Sequence, residues 1–185
     1  IATSRGAHRE ELKKALSNIW DMCEEKLLTE GTPLIFVGLE LERHESGIKV
    51  HQATFINMIL VKHGFDKANG IQAISMASPS EETAPTAAGL KTLQSYAGEL
   101  NWLATRSRAD LAYVTSLLAS CLAKYPKWAT RFWGKVMRYL RGTADTGLCL
   151  ATAGVGATLE AWSDAGFGGV GTRSQSGLFF SWAGA

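Results

Sequence analysis

Residues 124–143 read KYPKWATRFWGKVMRYLRGT, and this stretch decides much of the fold. At about 100° per residue, its side chains separate onto two faces of one helix. The basic face, which we call the basic stripe, consists of Lys124, Lys127, Arg131, Lys135, Arg138 and Arg141. The opposite, apolar wall consists of Trp128, Phe132, Trp133, Val136, Met137 and Leu140. The pattern predicts a helix that packs one face on a core and presents the other to an anionic partner.

A solvated charged face is the ordinary explanation of such a stripe. Exposed helix faces usually alternate basic and acidic residues, whereas no acidic residue lies between Lys124 and Arg141. The single sign of charge therefore favours contact with phosphates along a nucleic-acid backbone. Pro126 is well suited to the first position of a helix, so Lys124 is expected to lie just before the helix.

Periodicity predicts the other elements. Three- and four-residue apolar spacing predicts helices at His8–Leu28, Ala53–His63, Leu93–Leu103 and Arg108–Ala123, with Ser107 and Asp110 as a capping box for the last. Strands are expected at Leu34–Glu42, Ile48–His51, Leu159–Ala165 and Leu178–Trp182, with a turn at Glu45–Gly47. Gly38 indicates a bulge or a close backbone approach, and His63 is expected to be a surface histidine. The sequence thus predicts an α+β fold.

Several segments carry distinctive residue patterns. The helical region contains YAGELNWLA at 96–104, SRADLAY at 107–113 and RYLRGT at 138–143. Outside it lie FVGLEL at 36–41, the pattern of residues 50–65, WSDA at 162–165 and SQSG at 174–177. Together these segments resemble the Pol polyprotein of copia-type LTR retrotransposons. One departure is Ala109, where the family has proline. The resemblance covers most of the chain in order, except for about residues 66–92.

The resemblance implies a palm-tail helix and β-hairpin, a thumb-like helical subdomain and a truncated ribonuclease H-like β-hairpin. The implied parts are residues 1–65 as the palm tail of reverse transcriptase, 66–92 as a linker, 93–143 as the thumb-like subdomain, 144–158 as a second linker and 159–185 as the start of ribonuclease H. The implied parent activity is RNA-directed DNA polymerisation with ribonuclease H. The expected partners are an RNA/DNA hybrid or template-primer and the remainder of the Pol polyprotein.

Asp164 is the residue that the resemblance marks as catalytic, since ribonuclease H carries an aspartate on its first strand that helps to hold two Mg²⁺ ions. One carboxylate cannot hold both ions, and Gly166 replaces the second acid of the family's D-A-D-W motif. The polymerase Y-V-D-D motif does not occur in the sequence. Metal binding is therefore expected at Asp164 only with partner acids from elsewhere, and no cofactor is expected for this chain alone. A non-catalytic nucleic-acid-binding module and a degenerate transposon remnant stay open as alternatives.

Composition places limits on other functions. The net charge of +2 is too small to imply a partner, so the nucleic-acid argument depends on where the charges lie. Cys23, Cys121 and Cys149 are odd in number and widely spaced, which favours neither a disulfide framework nor a zinc site. No apolar run has the length of a membrane span, and no signal peptide opens the chain. We expect an intracellular location, in a cytoplasmic particle or the nucleus, without a membrane partner.

The glycines after the predicted strand at Leu159–Ala165 spell a literal GxGxxG, at Gly166, Gly168 and Gly171. A dinucleotide site would need a helix to begin there, because the pyrophosphate binds at the helix N-terminus. The following residues carry a β-type apolar run instead. The motif therefore predicts a hairpin turn and a return strand.

Overall fold

The computed structural model describes residues 6–22, 26–45, 47–75, 78–79, 85–151, 158–168 and 174–182. Within them the fold is α+β, with helices and two antiparallel sheets. The elements are α1 (Gly6–Ser17), β1 (Leu34–Phe36), β2 (Leu39–His44), β3 (Gly47–His51), α2 (Ala53–Lys62), α3 (Ala87–Ala104), a 3₁₀ turn (Ala109–Leu111), α4 (Ala112–Cys121), α5 (Pro126–Gly142), β4 (Leu148–Ala151), β5 (Leu159–Gly166) and β6 (Gln175–Trp182).

The core forms around the apolar wall of α5. Pro126 occupies the first turn of the helix, where a backbone N–H has no partner within the helix, so the lack of an N–H in proline costs no hydrogen bond. All six members of the wall are buried, and they pack with apolar faces of α2, α3 and α4. Fully burying one such side chain contributes about 1.5–3 kcal/mol. The predicted wall is confirmed, and truncating Leu140, which is 0% exposed, to alanine would cost about 2–5 kcal/mol.

The larger sheet has the strand order β1-β2-β3-β4. The predicted single strand at Leu34–Glu42 is wrong, because the chain reverses at Val37 and Gly38. Both residues have positive φ, 49° and 75°, as a two-residue hairpin turn requires. Gly38 is therefore a turn glycine rather than a bulge. The predicted pairing of β2 with β3 is confirmed, with Leu41 opposite Val50; Ser46 of the predicted turn lies outside the described residues.

Both predicted linkers contain ordered structure. Residues 66–75 lie along α5, and α3 begins directly after Thr86, whose hydroxyl accepts the Gly89 N–H at 3.1 Å. The second linker, residues 144–158, contains β4, which pairs with β3. Amino-acid composition did not predict this structure, because backbone hydrogen bonds to a neighbouring element do not depend on large apolar side chains. Residues 76–77, 80–84 and 152–157 lie outside the described part.

The first helix is shorter than predicted. It ends at Ser17, and the chain turns at Ile19 and Trp20, which are 68% and 61% exposed. Leu27, also predicted to be helical, is exposed outside any helix. An amphipathic pattern forms a long helix only where a core receives its apolar face. Cys23 of the predicted face lies outside the described residues.

The predicted terminal hairpin is confirmed and is longer than expected. β5 and β6 pair antiparallel from Leu159 opposite Trp182 to Gly166 opposite Gln175. Their apolar side chains are mostly exposed, and a hydrogen bond of 3.1 Å joins Gln175 Oε1 to the Ser116 hydroxyl of α4. β6 is a strand rather than a helix, which agrees with the rejection of a dinucleotide site; Gly171 lies outside the described residues.

Candidate nucleic-acid interface

The outer face of α5 carries five members of the basic stripe. Lys127, Arg131, Arg138 and Arg141 are exposed, and Lys135 is half-buried. Lys124 precedes the helix, as expected, and its ammonium group lies 5.2 Å from the centre of the Tyr125 ring. Because the apolar wall is fixed in the core, the opposite face must carry these charges to the surface. The structure thus brings together five of the six predicted residues in one row.

A segment that we call the strap, residues 66–75, runs beside the C-terminal half of this row. The Nε–H groups of Arg138 and Arg141 donate to the main-chain oxygens of Asn69 and Asp66, at 3.1 and 3.0 Å. Lys135 Nζ donates to the Ser75 oxygen at 3.4 Å. The C-terminal half of the stripe therefore has a structural role that its sequence pattern did not reveal.

The strap is in backbone contact with the end of α5. Ile71 N–H donates to the Arg138 oxygen at 3.1 Å, and Gln72 Nε2 donates to the Gly142 oxygen at 3.0 Å. A Cβ atom built on Gly70 would lie 2.6 Å from Gly142 Cα, and one on Gly142 would lie 2.4 Å from the Ile71 oxygen. Only glycine fits at either position, so this close approach depends on both residues.

A buried network holds the chain where it leaves α5. Arg108 is 0% exposed, and it donates to both carboxylate oxygens of Asp110 and to the main-chain oxygen and hydroxyl of Thr143. The Tyr139 hydroxyl also donates to Asp110, at 2.9 Å. The predicted capping box is wrong, because Asp110 is engaged here and the Ser107 hydroxyl instead donates to Gln52. Residue spacing in the sequence did not predict this network, and the only signal of it was the SRAD segment at residues 107–110.

Charge and burial act in opposite directions on this network. Burial by itself raises the pKa of Asp110, but the hydrogen bonds and charge of Arg108, with the Tyr139 hydroxyl, lower it below its ordinary value. The pKa of Tyr139 is raised, first by burial and then by the hydrogen bond to Asp110 and its negative charge. Both shifts favour the pair in which Asp110 is ionised and Tyr139 keeps its proton.

His63 is not the surface histidine that was expected. Its side chain is 11% exposed, and its Nε2 atom lies 2.8 Å from Glu99 Oε2. The ring makes edge contacts with Trp133 and Tyr96, at centroid distances of 5.0 and 5.1 Å. His63 therefore joins α2, α3 and α5, which only the packing of these helices determines.

Asp164 lies on β5 and lines a cleft of about 690 Å³ between α4 and the β5–β6 hairpin. Its side chain is exposed, and Asp110 lines the same cleft but is engaged by Arg108 and Tyr139. Within the described residues no group of three His, Cys, Asp or Glu side chains is arranged to hold a metal ion. The described residues around Asp164 therefore do not fit a pair of Mg²⁺ ions, which would need several oxygen ligands.

The two described cysteines are free thiols. Cys121 is buried and Cys149 is exposed, whereas Cys23 lies outside the described residues. No helix in the described part of the chain has the length and apolar character needed to cross a bilayer.

Comparison with known proteins finds no matching family model, no similar curated protein and no similar solved structure.

Proposed function

We propose that this chain is part of a copia-like retrotransposon Pol polyprotein, from the palm tail of reverse transcriptase to the start of ribonuclease H. Its own contribution is to hold an RNA/DNA hybrid or template-primer by the phosphate backbone along α5. The proposal rests on the motifs at residues 96–104, 107–113 and 138–143 and on the basic stripe of α5. The remainder of the polyprotein is the proposed protein partner.

The observation that carries the binding proposal is the row of cations on the outer face of α5. Four of its members are exposed, and α5 itself contains no acidic residue. Side chains that recur every three or four residues on one helix face form a line, as phosphates do along a strand. Lys and Arg contacts to phosphates position a nucleic acid without reading its bases. Binding is therefore expected to be independent of sequence.

Asp164 has no catalytic role in this proposal for the isolated chain. In the parent family Mg²⁺ would activate water and stabilise the leaving oxygen of the cleaved RNA strand. Among the described residues, the exposed Asp164 belongs to no group of three metal-binding side chains, and Asp110, which lines the same cleft, is bound by Arg108 and Tyr139. The retained activity is thus template-primer binding, and catalysis is assigned to the parent enzyme.

The test measures the affinity of the purified chain for an RNA/DNA hybrid as a function of salt. Changing Lys127, Arg131, Lys135 and Arg138 together to glutamine should weaken binding. The slope of log K against log salt should flatten by roughly 0.7–0.9 for each phosphate that the variant no longer neutralises. The matched control changes four cations outside α5 to glutamine, namely Lys14, Lys26, Lys49 and Lys91.

The control variant should bind with nearly the parental slope, although it has the same net charge as the stripe variant. Circular dichroism should show that both variants keep their helix content, because the apolar wall is unchanged. If the stripe variant binds hybrid as tightly as the parent at low salt, the stripe is only a solvated face and the proposal fails.

A further inference from the structure

We infer that the strap, residues 66–75, positions the guanidinium groups of Arg138 and Arg141 for phosphate contact. This inference rests on the proposed function and adds positioning residues to it. In both arginines Nε–H is bound by a strap oxygen while the side chain as a whole stays exposed. The strap therefore binds each guanidinium group at its Nε–H and leaves the side chain exposed.

The hydrogen bond at Nε determines which N–H donors of the guanidinium group stay available to a phosphate. A guanidinium group is planar and has five N–H donors, four of them on the two Nη atoms. With Nε held, the plane of the group is set, and no described residue receives a hydrogen bond from the Nη atoms of Arg138 or Arg141. Those donors form a fork that matches two oxygens of one phosphate.

The spacing of Arg138 and Arg141 along α5 suits contact with two neighbouring phosphates. Residues three apart on a helix have Cβ atoms about 5–6 Å apart, so the two groups can reach neighbouring phosphates of one strand. An unrestrained arginine must lose rotamer freedom on binding, which weakens affinity by about two- to tenfold per side chain. Arg138 and Arg141 have already lost much of that freedom in the free protein, whereas Lys127 at the other end of the stripe makes no hydrogen bond with residues 66–75 of the strap.

The strap can do this because it is itself fixed to α5. Arg138 is held twice, since its main-chain oxygen accepts the Ile71 N–H while its side chain donates to Asn69. The Gly70–Gly142 approach allows both bonds to form, because a Cβ on either residue would meet backbone atoms. Gly70 is therefore a positioning residue that acts through the two arginines.

The experiment displaces the strap without changing any charge. Gly70→Ala places a methyl group against the Gly142 backbone, whereas the control Gly98→Ala, on α3, meets no atom within 4 Å. We expect Gly70→Ala to weaken hybrid binding by about three- to tenfold. The log K against log salt slope should flatten by up to roughly 0.7–0.9 for each arginine that no longer reaches a phosphate. Faster amide exchange at Ile71 would verify that the strap has moved.

A flattened slope at unchanged net charge separates positioning from stability, because a merely destabilised protein that is still folded would keep its slope. Measurements are made well below both melting temperatures. A strap that is displaced with unchanged affinity overturns the inference, and so does tighter binding, which would mean that the strap competes with nucleic acid. Failure of the parent protein to bind hybrid would instead refute the proposed function.

A second pair of variants does not depend on moving the strap. Arg138→Lys with Arg141→Lys keeps both charges but removes the Nε bonds and the forks, and should weaken binding by about three- to tenfold. The control Arg43→Lys changes an exposed arginine of β2, outside the basic stripe, and should change affinity by less than about twofold. Equal affinity of the double variant and the parent would contradict the inference.

Discussion

Arg108 forms a two-pronged ion pair with Asp110, two residues further along the chain, with Nε–Oδ1 and Nη2–Oδ2 distances of 3.0 and 2.8 Å. The arginine is completely buried, while the aspartate side chain is 35% exposed. Because Arg108 also donates twice to Thr143, the pair ties the start of α4 to the end of α5. The orientation of the basic stripe therefore depends on residues that lie outside it.

Replacing Arg108 with lysine should destabilise the fold. Lysine keeps the charge but cannot form the planar fork, so Asp110 and Thr143 lose bonds that no single ammonium group can replace. We expect a loss of roughly 3 kcal/mol, at the lower end for a buried ion pair because Asp110 is partly exposed. Urea denaturation at neutral pH measures the effect. The control Arg43→Lys changes an exposed arginine of β2 and should alter stability by less than about 0.5 kcal/mol; equal losses would contradict the prediction.

Stability in acid should depend on Asp110. Because its pKa in the folded protein lies below the ordinary value of 3.8, its contribution is present above that value and is lost as pH falls through the folded pKa. Asp110→Asn lacks this contribution at every pH. The melting temperatures of parent and variant should therefore differ most near neutral pH and converge as pH falls below about 4. Curves that stay parallel down to about pH 2.5 would argue against the assignment.

Glu40 should stabilise the N-terminus of α2. One carboxylate oxygen accepts the Thr54 N–H at 2.7 Å and the other accepts the Thr54 hydroxyl at 2.9 Å, whereas the N-cap residue Gln52 provides no side-chain bond. Glu40→Gln removes the negative charge from the positive end of the helix and should cost about 1 kcal/mol. The exposed Glu45 provides the control, since Glu45→Gln should be nearly neutral in the same denaturation assay.

The β5–β6 hairpin should be the least protected sheet of the described fold. Two isolated strands are marginal in water, and Leu159, Leu178 and Phe180 are more than half exposed. We expect the amides of β5 and β6 to exchange faster than those near Val136 in the centre of α5. Slow exchange along the whole hairpin in the monomer would show that it is stabilised by more than its own pairing.

The purified chain should neither incorporate nucleotides nor cleave the RNA of a hybrid when Mg²⁺ is added. A pair of Mg²⁺ ions needs several carboxylate ligands, and the described residues surround Asp164 with no such set. Asp164→Asn is therefore expected to behave like the parent in both assays. Metal-dependent cleavage that the variant abolishes would show that the site is complete.

Local sequence patterns were sufficient to predict the apolar wall of α5 and the terminal hairpin. The buried wall of α5 follows from 3.6-residue periodicity, and the β5–β6 hairpin follows from two apolar runs around a glycine-rich turn. The same rules failed for α1, whose apolar spacing continues beyond Ser17 where the helix has ended. Periodicity shows which face of a helix is apolar, but it does not show whether a core is present to receive it.

The sequence by itself determined the apolar wall, the uniform sign of the stripe and the α+β class. Only the tertiary structure decided that the strap binds the C-terminal half of the stripe, that β4 pairs with β3, that Arg108 is buried and that His63 is partly buried against Glu99. These contacts join residues far apart in the chain, such as Asp66 with Arg141, through main-chain oxygens that every residue type carries. A backbone acceptor leaves no mark in the sequence, so its partner is known only once the chain is folded.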